Sequence, residues 1–261
     1  MLSKAQIKLI RSLKHKKFRD KHNLFVVEGE KVAGELLLDA GNENSIYAVH
    51  SLYASSGWIR QNREILSGKF PVFEITMEDL EQISFLSTPR NVMMLIKIRE
   101  MIFNPGFLQG KLTLVIDTVQ DPGNLGTIIR IAHWYGIPNI ICSMTSADLY
   151  NPKTIQATMG SFLSVRVFYT DLYGFLKDCY STTSIPIYGT FLSGSNIYTC
   201  ELASEGLIVL GNESKGISEE LIPFIHTWLS IPAFPVQDKP DSLNVAQAAA
   251  IVCSEFRRRG L

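Results

Sequence analysis

The chain lacks most of what would advertise a special chemistry. Its 261 residues include only four cysteines, Cys142, Cys179, Cys200 and Cys253. None forms a C-x-x-C pair and none has a histidine cluster nearby, which excludes the familiar zinc and thiol-redox motifs, so no metal is expected. Scattered thiols of this kind fit a reduced, cytoplasmic protein. Net charge is also missing: 25 Lys and Arg offset 25 Asp and Glu, so no global field attracts a polyanion. No apolar run approaches the ~20 residues that span a bilayer. The opening MLSKAQIKLIRSLKHKK has no apolar segment before a small-residue cleavage site, so it does not read as a secretory signal. Internal repeats and low-complexity tracts are absent. What remains is apolar content ample for one large domain or two small ones.

Charge is present locally even though it cancels globally. Between residues 4 and 21, Lys4, Lys8, Arg11, Lys14, Lys16, Lys17, Arg19 and Lys21 face a single acid, Asp20, and the chain ends in Arg257-Arg258-Arg259 before its last two residues. Such clustering points to contact with a polyanion, against the bland alternative of a solvated basic face. Residues 3–18 read as one basic amphipathic helix, with Ile7, Leu9, Ile10 and Leu13 forming its apolar stripe. Alternating strands and helices come next: a strand at 24–27, a helix at 31–40, strands at 45–49 and 70–75, a short helix at 77–85 with Thr76 as N-cap, and a strand at 92–98. Asn104-Pro105-Gly106 then breaks the pattern. This organisation predicts a first α/β domain over residues 1–103, a linker at 104–110 and a second domain over 111–261.

The second domain is organised around LTLVIDTVQDPGNLGTIIRIAHWYGI, Leu112 to Ile137. The apolar run Leu112–Ile116 predicts a buried strand and Asp121-Pro122-Gly123-Asn124 a turn. After the turn the spacing predicts a helix with Ile128, Ile131, Ala132 and Tyr135 inward. At roughly 100° per residue Arg130 stands about 200° from Ile128, off that stripe. A strand, tight turn and helix in an open α/β sheet place a site at the carboxyl end of the strand, within reach of Asn124 and Arg130. Two later stretches have a similar form. In LIVLGNESKGIS, from Leu207 to Ser218, a buried strand enters a loop with Gly211 and Gly216 at its ends and Glu213 at its tip. Glycine there lets backbone approach a ligand closely. After Ile231-Pro232 and a polar loop, Asp241-Ser242-Leu243-Asn244 opens the last helix, where Ser242 and Asn244 suit capping. The pair Gly123 and Gly126 lacks the G-x-G-x-x-G spacing of a dinucleotide-binding turn.

Together and in this order, these stretches resemble the SpoU (TrmH-like) family of ribose 2′-O-methyltransferases of the SPOUT class. Asn124, Gly126 and Arg130 match its first motif. Gly211, Asn212, Glu213 and Gly216 match the second, and Ile231, Pro232, Ser242, Leu243 and Asn244 the third. Asn151-Pro152 through Gly160 is similar to a further segment of the family, with Gln156 and Thr158 where many members carry a basic residue and a serine. The loop Ala233 to Asp241 is longer than usual. The N-terminal Ile7-Lys8-x-Ile10, the basic run and Phe25-Val26-Val27-Glu28-Gly29 resemble the substrate-binding domain that many members carry.

The resemblance implies an α/β fold: a C-terminal SPOUT domain with a deep trefoil knot around a mostly parallel sheet, preceded by a smaller α/β domain like ribosomal protein L30e. It implies S-adenosylmethionine as cofactor, held by Thr190, Leu210, Gly211, Asn212, Gly216, Ile231, Pro232 and Leu243. It implies catalysis by Arg130, with Asn124, Glu213, Ser242 and Asn244 orienting it and the RNA backbone. The substrate implied is RNA, ribosomal more than transfer, since only RNA offers the 2′-OH. Lys8, Arg11, Lys14, Lys16, Lys17 and Arg19 are the expected phosphate contacts. A homodimer is implied too, with Trp134 as an interface residue. A noncatalytic RNA-binding protein is the alternative reading.

Overall fold

The computed structural model describes residues 2–39, 45–66, 68, 70–99, 101–234 and 241–259. The chain divides into two compact units, one of residues 1–100 with 150–163, the other of 101–149 with 164–261.

The first unit opens with α1 (Lys4–Ser12), whose start is a capping box: the Ser3 hydroxyl accepts the Gln6 N–H at 3.2 Å and the Gln6 side chain accepts the Ser3 N–H at 3.0 Å. The single helix expected over 3–18 is instead two, because α2 (Lys16–His22) begins after His15, an N-cap in extended conformation. Arg19 explains the break. Its Nη1 donates to the carbonyls of Leu13 and Lys14, both at 2.8 Å, which satisfies acceptors that a continuous helix would have used internally. Arg19 is only 2% exposed. It is therefore removed from the expected phosphate contacts, whereas Lys8, Arg11, Lys14, Lys16 and Lys17 are exposed.

The rest of this unit is β1 (Leu24–Glu28), α3 (Glu30–Asp39), β2 (Ala48–Ala54), α4 (Ser56–Gln61), β3 (Val72–Glu74), α5 (Met77–Ile83) and β4 (Val92–Lys97), with Thr76 capping α5 as expected. The sheet order is β1-β4-β2-β3, with β4 antiparallel to both neighbours and β2 parallel to β3. Ile10, Leu13, Leu80, Ile83, Met93 and Leu95 share its core.

The second unit contains β5 (Leu112–Ile116), α6 (Pro122–Trp134) and β6 (Asn139–Ser143). The chain then leaves it through α7 (Pro152–Thr158) and returns to form β7 (Arg166–Thr170), α8 (Leu172–Thr182), β8 (Ile187–Asn196), β9 (Gly206–Leu210), β10 (Thr227–Ser230) and α9 (Val245–Arg258). Residues 150–163, which the sequence pattern assigns to the second domain, pack in the first unit instead. The reason is aromatic: Tyr150 and Phe162 lie 4.6 and 6.1 Å from the buried Phe25 ring of β1, and Tyr47 is 5.2 Å from Phe162. No local signal marks that destination.

Six strands form the second sheet in the order β10-β8-β9-β5-β6-β7, and every neighbouring pair is parallel. This accounts for the largely apolar, wholly buried runs of β5 and β9, since a parallel sheet is covered on both faces. All loops that leave the carboxyl ends of β5, β9 and β10 therefore rise on one edge. On one face Val115, Ile141, Leu207 and Val209 pack with Leu172 and Leu176 of α8. Elsewhere α9 lies along α6.

The C-terminal arginines, expected to contact a polyanion, are structural. Arg257 donates to the carbonyls of Tyr135 at 2.7 Å and Gly136 at 2.9 Å, just past the end of α6. Arg258 and Arg259 both hold Glu255, whose carboxyl is pulled down to about 2, chiefly by the Arg258 hydrogen bond. Arg259 also donates to the carbonyls of Ile197 and Cys200. Burial pushes the Cys179 thiol up to about 11 and Cys253 to about 12, so these sulfurs pack as apolar groups.

Arg19→Ala leaves two carbonyls without their donor and is expected to cost about 2 kcal/mol, the scale of a lost charge-assisted bond plus unsatisfied acceptors. Lys16→Ala, at an exposed position, is expected within about 0.5 kcal/mol of wild type. Urea titration of the two variants beside wild type checks the pair.

Candidate active site

The expected turn at 121–124 is the start of α6 itself. Asp121 is its N-cap and its carboxylate accepts the Asn124 N–H at 2.9 Å, while Pro122 occupies the first turn, where its missing N–H costs nothing. Asn124 thus does not use its side chain on its own backbone, as a turn-former would. That side chain points to the loop after β9: Asn124 Nδ2 donates to Glu213 Oε1 at 2.7 Å. Its Oδ1 accepts from Asn244 Nδ2 at 3.1 Å. Asn244 in turn is the N-cap of α9, its Oδ1 accepting the N–H groups of Ala246 and Gln247 at 3.0 and 3.4 Å. One residue from each motif is therefore joined in a single relay, from Glu213 through Asn124 to Asn244.

The loop carrying Glu213 is tightly closed. Asn212 and Gly216 exchange two backbone hydrogen bonds of 2.9 Å. The Asn212 Oδ1 accepts from Ser214 N, Ser214 Oγ and Lys215 N, at 3.0, 2.9 and 3.1 Å. Its Nδ2 reaches across to donate to the Thr118 carbonyl at 2.8 Å. Gly216 adopts a φ of +74°, a conformation that favours glycine. Gly211 has a different reason to be glycine. A Cβ there would stand 2.3 Å from both the Gly216 carbonyl carbon and the Ile217 nitrogen. The close approach expected of a ligand at Gly211 is made by the loop's own backbone.

The remaining members of the expected set divide. Arg130 is exposed, off the buried face of α6 that Leu125, Ile128, Ile129 and Ala132 form, and makes no hydrogen bond to the relay. Of the four inward residues expected, Ile128 and Ala132 are buried, while Ile131 and Tyr135 are half-buried. Leu210 is fully buried, with its carbonyl accepting the Asp117 N–H at 2.9 Å. Thr190 donates from Oγ1 to the Val209 carbonyl at 3.2 Å, just beyond the paired part of β8 and β9. Ile231 and Pro232 come directly after β10, half-buried and exposed respectively, and Ser242 and Leu243 are exposed. Most of the long loop 233–241 lies outside the described residues. Gly211 and Ile231 thus come directly after the carboxyl ends of β9 and β10, and Thr190 lies within β8, where its pairing with β9 stops. Among the described residues no His/Cys/Asp/Glu group suited to a metal occurs.

Asp117 and Thr118 stand outside the residues that the three motifs single out. The signal was available: an acid directly after a largely apolar, buried strand has to find partners.

Comparison with known proteins matches two stretches, each continuous in sequence, and the C-terminal one includes residues 150–163. Residues 111–254 match the SpoU rRNA Methylase family and residues 4–94 the MRM3-like substrate binding domain. The chain is 28% identical over 253 residues to the Bacillus subtilis 23S rRNA (guanosine(2553)-2′-O)-methyltransferase RlmP, covering 97% of this chain and 96% of that one. A TrmH-family protein from Porphyromonas gingivalis superposes with a TM-score of 0.84 at 36% identity, over 99% of both chains. An AdoMet-bound rRNA methyltransferase from Sinorhizobium meliloti superposes with a TM-score of 0.85 at 28% identity, over 100% of this chain and 97% of that one.

Gly211→Ala forces backbone apart and is expected to cost about 1–3 kcal/mol, the range for overpacking a filled site. It should also speed amide exchange at Gly216 by ten-fold or more. Gly216→Ala meets open space and is expected to cost only the left-handed strain of about 1–2 kcal/mol. Thermal unfolding combined with residue-resolved hydrogen exchange tells the two apart.

Proposed function

Since the chain belongs to the SpoU rRNA Methylase family, we propose that it transfers a methyl group from S-adenosylmethionine to a ribose 2′-OH of ribosomal RNA. The observation that carries this reading is the relay Glu213–Asn124–Asn244, which ties the three sequence motifs into one polar cluster at the carboxyl edge of the parallel sheet. Bound there, S-adenosylmethionine supplies an electrophilic methyl on a cationic sulfonium. Thr190, Gly211 and Ile231, proposed to hold it, are uncharged residues, which suits a cationic ligand. Leu210, Asn212, Gly216, Pro232 and Leu243 complete the proposed cofactor set. The trefoil knot is part of the same proposal, supported by β9 lying between β5 and β8 in the sheet.

The residues divide the remaining work. An attacking ribose oxygen has to be aligned and relieved of its proton. Arg130 holds the adjacent phosphate and stabilises negative charge as it develops on that oxygen; a guanidinium, with a pKa above ~12, is a poor plain base. Glu213, Asn124, Asn244 and Ser242 orient Arg130 and the RNA backbone. The first unit grips RNA through Lys8, Arg11, Lys14, Lys16 and Lys17. Two copies form the working enzyme, which the 83% exposure of Trp134 on α6 supports. The compartment proposed is the cytoplasm, where thiols stay reduced. Among the described residues no helix is long and apolar enough to cross a membrane. Mapping 2′-O-methyl groups in RNA from cells lacking the protein tests the reading: one missing ribosomal site sustains it, a missing transfer-RNA site changes the substrate, and an unchanged map overturns it.

Arg130→Ala is expected to fold and bind cofactor normally but to lose about 10²-fold or more in single-turnover methyl transfer, the scale for a positioned electrostatic group. Arg130→Lys keeps charge and loses the planar fork. Recovery in the lysine variant assigns the effect to charge; no recovery assigns it to the fork.

Replacing Lys8, Arg11, Lys14, Lys16 and Lys17 together by alanine is expected to weaken RNA binding and flatten its dependence on salt. Every side chain that no longer neutralises a phosphate lowers the log–log slope by about 0.7–0.9. Binding measured across a series of salt concentrations gives the slope, and an unaltered slope moves the RNA surface elsewhere.

A further inference from the structure

We propose that Asp117 is a positioning residue for methyl transfer, acting by pinning the Glu213 loop to the end of β5. The inference rests on the function proposed above and extends it to a residue outside the family motifs. Asp117 is the first residue past β5, in the middle of the sheet, and is 3% exposed. A buried carboxylate is costly unless donors satisfy it. Here they do: Oδ2 accepts the Ser218 backbone N–H at 2.7 Å and Oδ1 accepts the Thr118 hydroxyl at 2.8 Å.

Ser218 ends the loop whose tip is Glu213. The other end of that loop is held by Asn212, which donates to the Thr118 carbonyl. Adjacent residues of one strand end, Asp117 and Thr118, therefore fix both feet of the loop. Thr118 has a φ of +56°, unusual for a β-branched residue. Strain of this kind persists only where the surroundings over-determine it, and it clusters at functional sites. The surroundings do so here: Thr118 N donates to Ser143 Oγ at 3.0 Å, and its hydroxyl lies 3.1 Å from Thr145 Oγ1. Left-handed backbone at Thr118 is what accompanies a carbonyl bonded to Asn212 and a hydroxyl bonded to Asp117 at once.

The consequence for catalysis is geometric. Glu213 reaches Asn124 over a single 2.7 Å bond, and a shift of about 1 Å in a supporting element costs about 10²-fold in rate. With the Ser218 foot released, the loop keeps its internal bonds and its Asn212 foot, so it pivots without melting. Glu213 then leaves Asn124 without the fold being lost.

The test is a pair of substitutions in the full-length protein. Asp117→Asn keeps a carbonyl oxygen for the Ser218 N–H, and its amide can donate to the Thr118 oxygen, whose hydroxyl then turns to Thr145. It is expected to stay within about five-fold of wild type in single-turnover methyl transfer. Asp117→Ala has no acceptor and is expected to lose about 30-fold or more in that rate, with KM for RNA within two-fold. Amide exchange at Ser218, measured without cofactor or RNA, is expected to accelerate at least ten-fold in Asp117→Ala and to stay near wild type in Asp117→Asn. A wild-type rate in Asp117→Ala, or a loss no greater than its unfolded fraction, overturns the assignment. So does unchanged Ser218 exchange. Wild-type protein that methylates no RNA removes the proposed function instead, and the exchange measurement then still decides whether Asp117 holds the loop.

Discussion

Glu213 can accept hydrogen bonds but cannot donate them when ionised, and the polar geometry of the site derives from that asymmetry. A carboxylate facing Asn124 obliges the asparagine to present its NH₂, as it does at 2.7 Å. The amide oxygen is then turned the other way, where only a donor can meet it. Asn244 is such a donor because its own oxygen is committed to capping α9. The two asparagines are thus fixed in orientation by one carboxylate and one helix start. Reversing Asn124 would set like against like at two contacts, and reversing Asn244 at three. The N-cap that begins α9 consequently also sets the register of the relay, so helix stability and site geometry share one residue.

That polar cluster needs a rigid platform, and the parallel sheet supplies it. In a parallel sheet every strand ends on the same edge as its neighbours, so loops distant in sequence become adjacent without long excursions. β5 and β9 are neighbours, which brings the start of α6 beside the loop after β9. The same packing explains why the two glycines of that loop differ. Gly216 relieves a backbone conformation, whereas Gly211 relieves a collision between the strand end and its own returning loop. Only the second depends on tertiary structure.

The sequence was most legible where local pattern and tertiary fate coincide. β5 and β9 were readable as largely apolar runs because a buried parallel strand has no solvent face to interrupt them, and the start of α9 because Asn244 is a capping residue type. The capping of α5 by Thr76 was local as well. Legibility failed where a side chain acts at a distance. The helix break at 13–15 depends on Arg19 reaching back for two carbonyls, which periodicity cannot report. Phe162 and Tyr150 carry no mark that they pack against Phe25. Asn124 looked like a turn-former because its composition suits one; the choice between turn and helix start was made by Asp121, which took the backbone N–H and freed the asparagine side chain. The site residues themselves were found through the order of the motifs, and their connection through Asn124 became visible only in space.

The arginines show how the same side chain is sorted by what surrounds it. A guanidinium offers five donors and no acceptor, so it settles wherever carbonyl oxygens lack partners. Helix ends provide such oxygens, because the last turn leaves its carbonyls unpaired. Arg19 takes those just after α1, Arg257 those just after α6, and Arg259 those of the turn at 197–200. Three arginines that composition would offer to RNA are thereby consumed by the fold. Arg130 sits in the interior of α6, where neighbouring carbonyls are already bonded within the helix, and on its exposed face. Among the described residues nothing internal claims its charge or its directed donors. The feature that makes it look unremarkable, a solvated arginine on a helix, is the one that leaves it free to act on a phosphate and a hydroxyl brought from outside.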